Sequence, residues 1–247
     1  KLSGKIYPNN VTIDEDLDDG SATIENCVIL GTLSVKGGGT DTITISNSRV
    51  ANATVDKDDD SVRILAKGET NIIKLTASQK SILQTSSLSG GLFGPGFREI
   101  TINGSAEVEL KGSFPNVTVG GSKANVSLNS GAIEALTVGG RYSNITAASG
   151  TTIGKATVNA ESYFHGSGTI SQMNVNAGGV TYETKPKQWT IASSADTPKQ
   201  SNDSADITFN PKDGATNVKL DTKITITFNS AMELHDGDSI TDSDIED

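Results

Sequence analysis

Short apolar triplets, each reading inward, outward, inward, recur along most of this chain. One series runs Val117-Thr118-Val119, Leu136-Thr137-Val138, Ala156-Thr157-Val158 and Met173-Asn174-Val175, with start-to-start steps of 19, 20 and 17. A second series lies between them: Val126-Ser127-Leu128, Ile145-Thr146-Ala147, Phe164 with its neighbours, and Val180-Thr181-Tyr182. A period of two is the signature of a β-strand, and three residues are its minimum. Asn or Gly follows most triplets, as in Gly120-Gly121, Asn129-Ser130-Gly131 and Gly139-Gly140. These residues supply the left-handed and bridge conformations that sharp corners demand.

A rung this short cannot close a core by itself. Stacked rungs give every strand a neighbour above and below, around a continuous interior of Val, Ile and Leu. The pattern therefore predicts an all-β chain built as a right-handed parallel β-helix, a solenoid. A β-sandwich would want strands nearer five or six residues. The first hundred residues follow the same grammar with longer rungs, at Ala22–Ile24, Val28–Leu30, Leu33–Val35, Ile43–Ile45, Ala53–Val55, Val62–Leu65, Ile72–Leu75 and Ile100–Ile102. The glycine-rich run from Leu88 to Phe97 interrupts the pattern and reads as an extruded loop, with Phe93 and Phe97 covering the stack. The chain start through Ile13 and the segment around Trp189 are the candidate end caps, since open strand edges template aggregation.

The triplets cease after Tyr182. The predicted division is a β-helix over 1–182, a Pro-, Lys- and Ser-containing linker over 183–205, and a second module over 206–247. Asp206–Phe209 and Lys223–Phe228 are that module's two strand signals. Two strands and a polar tail cannot form a stable sandwich alone, so the module is expected to be truncated.

Composition narrows the functional classes. The chain of 247 residues carries 30 acidic against 20 basic side chains, a formal net charge of -10. With no basic stripe to displace counterions, nucleic acid is not an expected partner. No apolar run approaches the roughly 20 residues of a membrane helix, so no transmembrane segment is expected. The sequence as given opens without a charged leader and apolar core, so no signal peptide is expected in it; if the protein is secreted, this is a mature fragment. The single cysteine, Cys27, permits no internal disulfide and reads as a small buried hydrophobe.

Two stretches carry a family resemblance. Phe209-Asn-Pro-Lys-Asp-Gly-Ala-Thr-Asn-Val218, followed by Thr225-Ile-Thr-Phe228 and Ala231-Met232, resembles the opening of a bacterial Ig-like domain. The run from Asn26 to Gly39 and the later Thr-Val-Gly-Gly units resemble the β-helical segments of large Gram-positive surface proteins of the S-layer and S-layer-homology type. The resemblance implies an extracellular, cell-wall-displayed, multidomain protein whose parent chain supplies further domains. It names no ligand.

Three chemistries have candidate residues. Asp14, Asp16, Asp18 and Glu25 echo positions 1, 3, 5 and 12 of a calcium loop, with glycine at position 7 instead of 6. The tail places Asp236, Asp238, Asp242 and Asp244 at similar spacing, so Ca2+ is the one possible cofactor. The bland alternative for both is a solvated corner. Parallel β-helices often house polysaccharide lyases and hydrolases, yet none of Arg49, Arg63, Arg98 and Arg141 sits beside a paired-carboxylate strand. Glu134 and Glu161 are not one period apart, and His165 and His235 have no nucleophile context. The expectation is no enzyme. Finally, Tyr142, Tyr163 and Tyr182, at steps of 21 and 19, form a candidate ladder with Trp189 for sugar rings, or else an internal or capping stack. The sequence thus favours a surface adhesin binding polysaccharide or cell-wall glycan along a solenoid face. A purely structural spacer or envelope assembly unit stands second, and a lyase or hydrolase third.

Overall fold

The structure, a computed structural model, describes residues 1–201 apart from 41, 59 and 91–95, and beyond them 207–211, 216, 219, 223 and 225–228. The chain divides into two compact units, Lys1–Ser201 and Asn202–Asp247.

The first unit is a parallel β-solenoid of about 10 turns with a single short 3-10 helix, Glu15–Leu17, among the described residues. Every strand pairing in it is parallel, each strand lying on one a single coil away. The strands expected from sequence in the first hundred residues all fall within observed strands. Register turns the triplets into columns. One interior column runs Ile43, Ile64, Leu83, Leu110, Leu128, Ala147. Another runs Ile13, Val35, Val55, Ala77, Ile102, Val119, Val138, Val158, Val175, Ile191. The shortest coil in these columns leads from Val175 to Ile191. The longest leads from Leu83 to Leu110, and it contains the Leu88–Phe97 stretch. The Val, Ile and Leu side chains of these columns, Ile13 and Ile191 at the ends apart, have almost no exposed surface, and each contributes about 1.5–3 kcal/mol through burial.

Corners repeat as columns too. Gly4, Asn26, Asn47, Gly68 and Ser87 each follow one of the stacked residues Ser3, Glu25, Ser46, Lys67 and Ser86, and all have φ between 46° and 65°. The left-handed turn at this corner explains why glycine and asparagine recur there. A small polar column runs just inside: Cys27 donates its backbone N–H to Ser48 Oγ at 3.0 Å, and Ser48 donates to the Ser46 carbonyl at 2.7 Å. Thr70, fully buried one coil on, donates to the Ile45 or Lys67 carbonyl. Cys27 is buried and free, as its reading required.

Three sequence expectations change. Phe97 does not cover the stack from a loop. It sits inside it, at 0% exposure within the strand Gly96–Ile102, with its ring 5.9 Å from that of Phe114; Phe93 lies outside the described residues. The chain start through Ile13 is a coil and not a lid: Leu2–Ser3, Ile6–Tyr7 and Val11–Ile13 pair with the next coil. The solenoid also outlasts Tyr182. Gln188–Ile191 pairs with Gln172–Val175, and Lys199–Gln200 with Thr181–Tyr182, so the stretch read as a linker holds one more turn.

In the second unit, Ile207–Asn210 and Thr225–Phe228 form an antiparallel pair, Ile207 opposite Phe228 and Asn210 opposite Thr225. Most other residues of 206–247, where an Ig-like module is expected, lie outside the described residues. No helix among the described residues is long and apolar enough to cross a membrane.

Candidate functional site

The tyrosines expected as one ladder are separated by register. Ser143 stacks on Ser162 and Asn144 on Tyr163, a local period of 19. Tyr142 and Tyr163 are therefore offset by two positions. Phe164 stacks on Tyr182, a local period of 18. Tyr163 and Tyr182 are thus offset by one, which in a strand sends their side chains to opposite faces. Tyr182 is accordingly in the core, its ring 5.5 Å from Trp189 at an interplanar angle of 74°. Trp189 stacks above Met173 with Lys185 Nζ 5.2 Å over its ring, so this pair closes the end of the core. Of the four aromatic candidates, only Tyr142, 41% exposed beneath the Arg141 guanidinium, and the half-buried Tyr163 face outward.

The acidic calcium-loop candidates are likewise dispersed. The Asp14 carboxylate caps the 3-10 turn, accepting from the Asp16 N–H at 3.4 Å. Glu25 ends the strand Ala22–Glu25 and is paired with Lys1 at 2.8 Å. Asp18 lines a small hollow with Glu15, Lys36, Asp56, Lys57 and Asp58. Among the described residues no three His, Cys, Asp or Glu side chains converge as a metal site. Asp236, Asp238, Asp242 and Asp244 lie outside the described residues. The run from Asp56 to Asp60 is less plain than a solvated loop, because Lys57 is buried and paired with Asp19 at 2.7 Å.

Two features went unread in the sequence. His165 bridges coils: its Nδ1 is 2.7 Å from Glu183 Oε1 and its Nε2 is 3.2 Å from Asn144 Oδ1. Glu183 also accepts from the Gly166 N–H, so it ties the last turn to the one before it. The second feature is a groove near the Tyr142 corner, with a cavity of about 550 Å³ lined by Glu161, Tyr163, Thr181, Asp196 and Lys199. A neighbouring hollow of about 520 Å³, lined by Arg141, Asn159 and Gly178, shares Glu161 with it. Glu161 is 3.6 Å from Arg141. Glu134 is not part of this corner; its backbone lies against Gly154, on another side of the coil. Asp196 escaped notice because it falls in the stretch that reads as a linker.

No protein-family model matches the chain, and no curated protein matches it. Among solved structures it is similar to chitinase ChiW from Paenibacillus sp. strain FPU-7, described as a bacterial cell-surface-expressed multi-modular enzyme machinery. The likeness has a TM-score of 0.58 and 27% sequence identity. It covers 65% of this chain and 14% of that one, so this chain spans a small part of that protein's length.

Proposed function

We propose that this chain is a non-enzymatic module of a bacterial cell-surface protein, and that its solenoid binds polysaccharide at the surface. The observation that carries this reading is the likeness of the chain to part of a cell-surface-expressed, multi-modular chitinase. A solenoid with outward amide, hydroxyl and phenol side chains suits an extended polymer, because successive coils offer the same groups at a repeat of about 4.8 Å. Display on the cell wall, S-layer-type anchoring and an Ig-like second module belong to the same proposal. They rest on the sequence resemblances and not on the groove.

A spacer or assembly role is the second reading. It is favoured by one observation: two of the four aromatic candidates, Tyr182 and Trp189, are spent on closing the core. Retention of the intact chain on insoluble chitin, β-glucan, cellulose, xylan and purified cell walls separates the two readings. Each polymer is also assayed for released reducing ends. The proposal expects retention on at least one polymer without release. Retention on none would leave the spacer, and release of reducing ends would overturn the non-enzymatic assignment.

A further inference from the structure

We infer that the polysaccharide runs along one outward column, Asn144, Tyr163, Thr181 and Lys199, bordered by Glu161 and Asp196, and that the polymer is uncharged. This rests on the reading of the chain as a glycan binder and says where and what it binds. Register alone places the four column residues in line: Asn144 is opposite Tyr163, Tyr163 opposite Thr181, and Thr181 opposite Lys199. Three coil steps of about 4.8 Å give a track of about 14 Å, a length on the order of three pyranose rings. The cavity of about 550 Å³ lies along the last three of these residues, within the size range of saccharide and other small-ligand clefts.

The floor of this groove is kept low by Gly179, and that of the neighbouring hollow by Gly178. A Cβ at Gly178 would stand 2.7 Å from Asp196 Oδ2, and one at Gly179 would stand 2.7 Å from Glu161 Cγ. Gly179 also has φ of 74°, where a side chain is strained. The two carboxylates therefore flank a bare strip of backbone. Their states differ. Glu161 is engaged by Arg141, whereas Asp196 and Lys199 have no side-chain partner among the described residues. An unpaired carboxylate offers only acceptors and an unpaired ammonium only donors. Together they match a sugar's hydroxyl groups, which do both, while Tyr163 offers a ring face for the apolar side of a pyranose. Asn144 donates to Asn125 Oδ1 at 2.9 Å, extending the amide track one further coil.

Charge decides the polymer class. Within the groove the Arg141–Glu161 pair and the Asp196 and Lys199 charges balance, so no local excess recruits an ion. The whole chain carries -10, which repels polyanions at long range. Uncharged β-glucan or fully N-acetylated chitin oligomers fit; polygalacturonate and alginate do not.

The test is a titration of the intact chain with soluble β-1,3-glucan, chitohexaose, polygalacturonate and alginate. It is repeated with Asp196→Ala, Lys199→Ala and Tyr163→Ala, and with Lys74→Ala on a distant face as control. Circular dichroism and melting of each variant establish folding; Asp196 and Lys199 are exposed, so their variants remain informative if Tyr163→Ala is unstable. The expected result is saturable binding of an uncharged polymer, weakened about tenfold by each groove variant and unchanged by the control. Binding that survives all three groove substitutions would overturn this location while leaving the glycan-binding role intact. Tighter binding of polygalacturonate or alginate would overturn the charge class. Binding of none of the four probes would overturn this inference, and the insoluble-polymer panel then decides whether the broader reading falls with it.

Discussion

Gly139 and Gly140 are chain neighbours that the stacked architecture treats in opposite ways. A Cβ at Gly140 would lie 1.8 Å from the Gly121 carbonyl oxygen and 2.4 Å from its carbon. A Cβ at Gly139 would have nothing nearer than the Val119 oxygen at 3.8 Å, an ordinary contact. Gly121 is pressed in the same way against Gly104, with a would-be Cβ 1.9 Å from its oxygen, so the clash at Gly140 cannot be relieved by sliding one coil. Even a 3.0 Å approach, the near limit for a real Cβ atom, would force the Gly121 oxygen well out of its place in the stack. That oxygen is one of two acceptors in reach of the buried Ser143 hydroxyl, at 3.1 Å, the other being the Gly140 oxygen at 3.0 Å, so Ser143 keeps a partner if it retreats. Overpacking of this kind costs about 1–3 kcal/mol, and a clash with unyielding backbone places it at the upper end. Gly140→Ala is therefore expected to destabilise by about 3 kcal/mol, a fall of roughly 6–12 °C in melting temperature for a domain of this size. Gly139→Ala should be neutral or stabilising by up to about 1 kcal/mol, through the lower entropy of the unfolded chain. Thermal and urea unfolding followed by circular dichroism reads both variants. Equal melting temperatures for the pair would refute the stacking argument.

Other outcomes are tied to particular contacts. Phe97→Ala empties core space beside Phe114 and is expected to cost about 3–5 kcal/mol by urea unfolding, whereas a surface aromatic would cost almost nothing. Glu183→Ala releases His165 and the Gly166 N–H. The loss of about 1–3 kcal/mol should appear as faster hydrogen exchange at Ser201, whose N–H bonds to the Tyr182 carbonyl at 2.8 Å, with exchange in the first coils unchanged. Asp19→Ala removes the ion-pair partner of the buried Lys57 ammonium and should cost about 1–2 kcal/mol, while Lys57→Met, which keeps the packed stem, should be neutral within about 1 kcal/mol. Urea midpoints that rank those two variants the other way would contradict the assignment of Lys57 as a packed side chain.

Most of the solenoid was legible because its signal is local. A triplet such as Val117-Thr118-Val119 declares a strand, its inward face and its place in a column without reference to anything distant. Whatever depended on the local length of a coil was not legible. The spacing from Tyr163 to Tyr182 looks like one repeat, but that coil is one residue shorter, and the slip buries Tyr182. The last turn was hidden for a related reason. Between Tyr182 and Ser201 no apolar triplet appears, and the interior is continued by Trp189 and Ile191 together with the buried Pro186 and Pro198. With that turn unrecognised, Asp196 and Lys199 had no visible relation to Tyr163, and the groove they form could not be assembled. The calcium-loop spacing did not translate into one cluster of side chains among the described residues. Asp14, Asp16, Asp18 and Glu25 fit a loop in sequence, but the chain spends them on a capped turn and a strand end.

The most direct test of the central claim is isothermal titration of the intact chain with soluble β-1,3-glucan and chitohexaose, beside its Asp196→Ala variant. The account predicts a saturable heat with one of these uncharged ligands and a roughly tenfold weaker affinity for the variant. No saturable heat with either ligand, or an affinity that ignores Asp196, would contradict it.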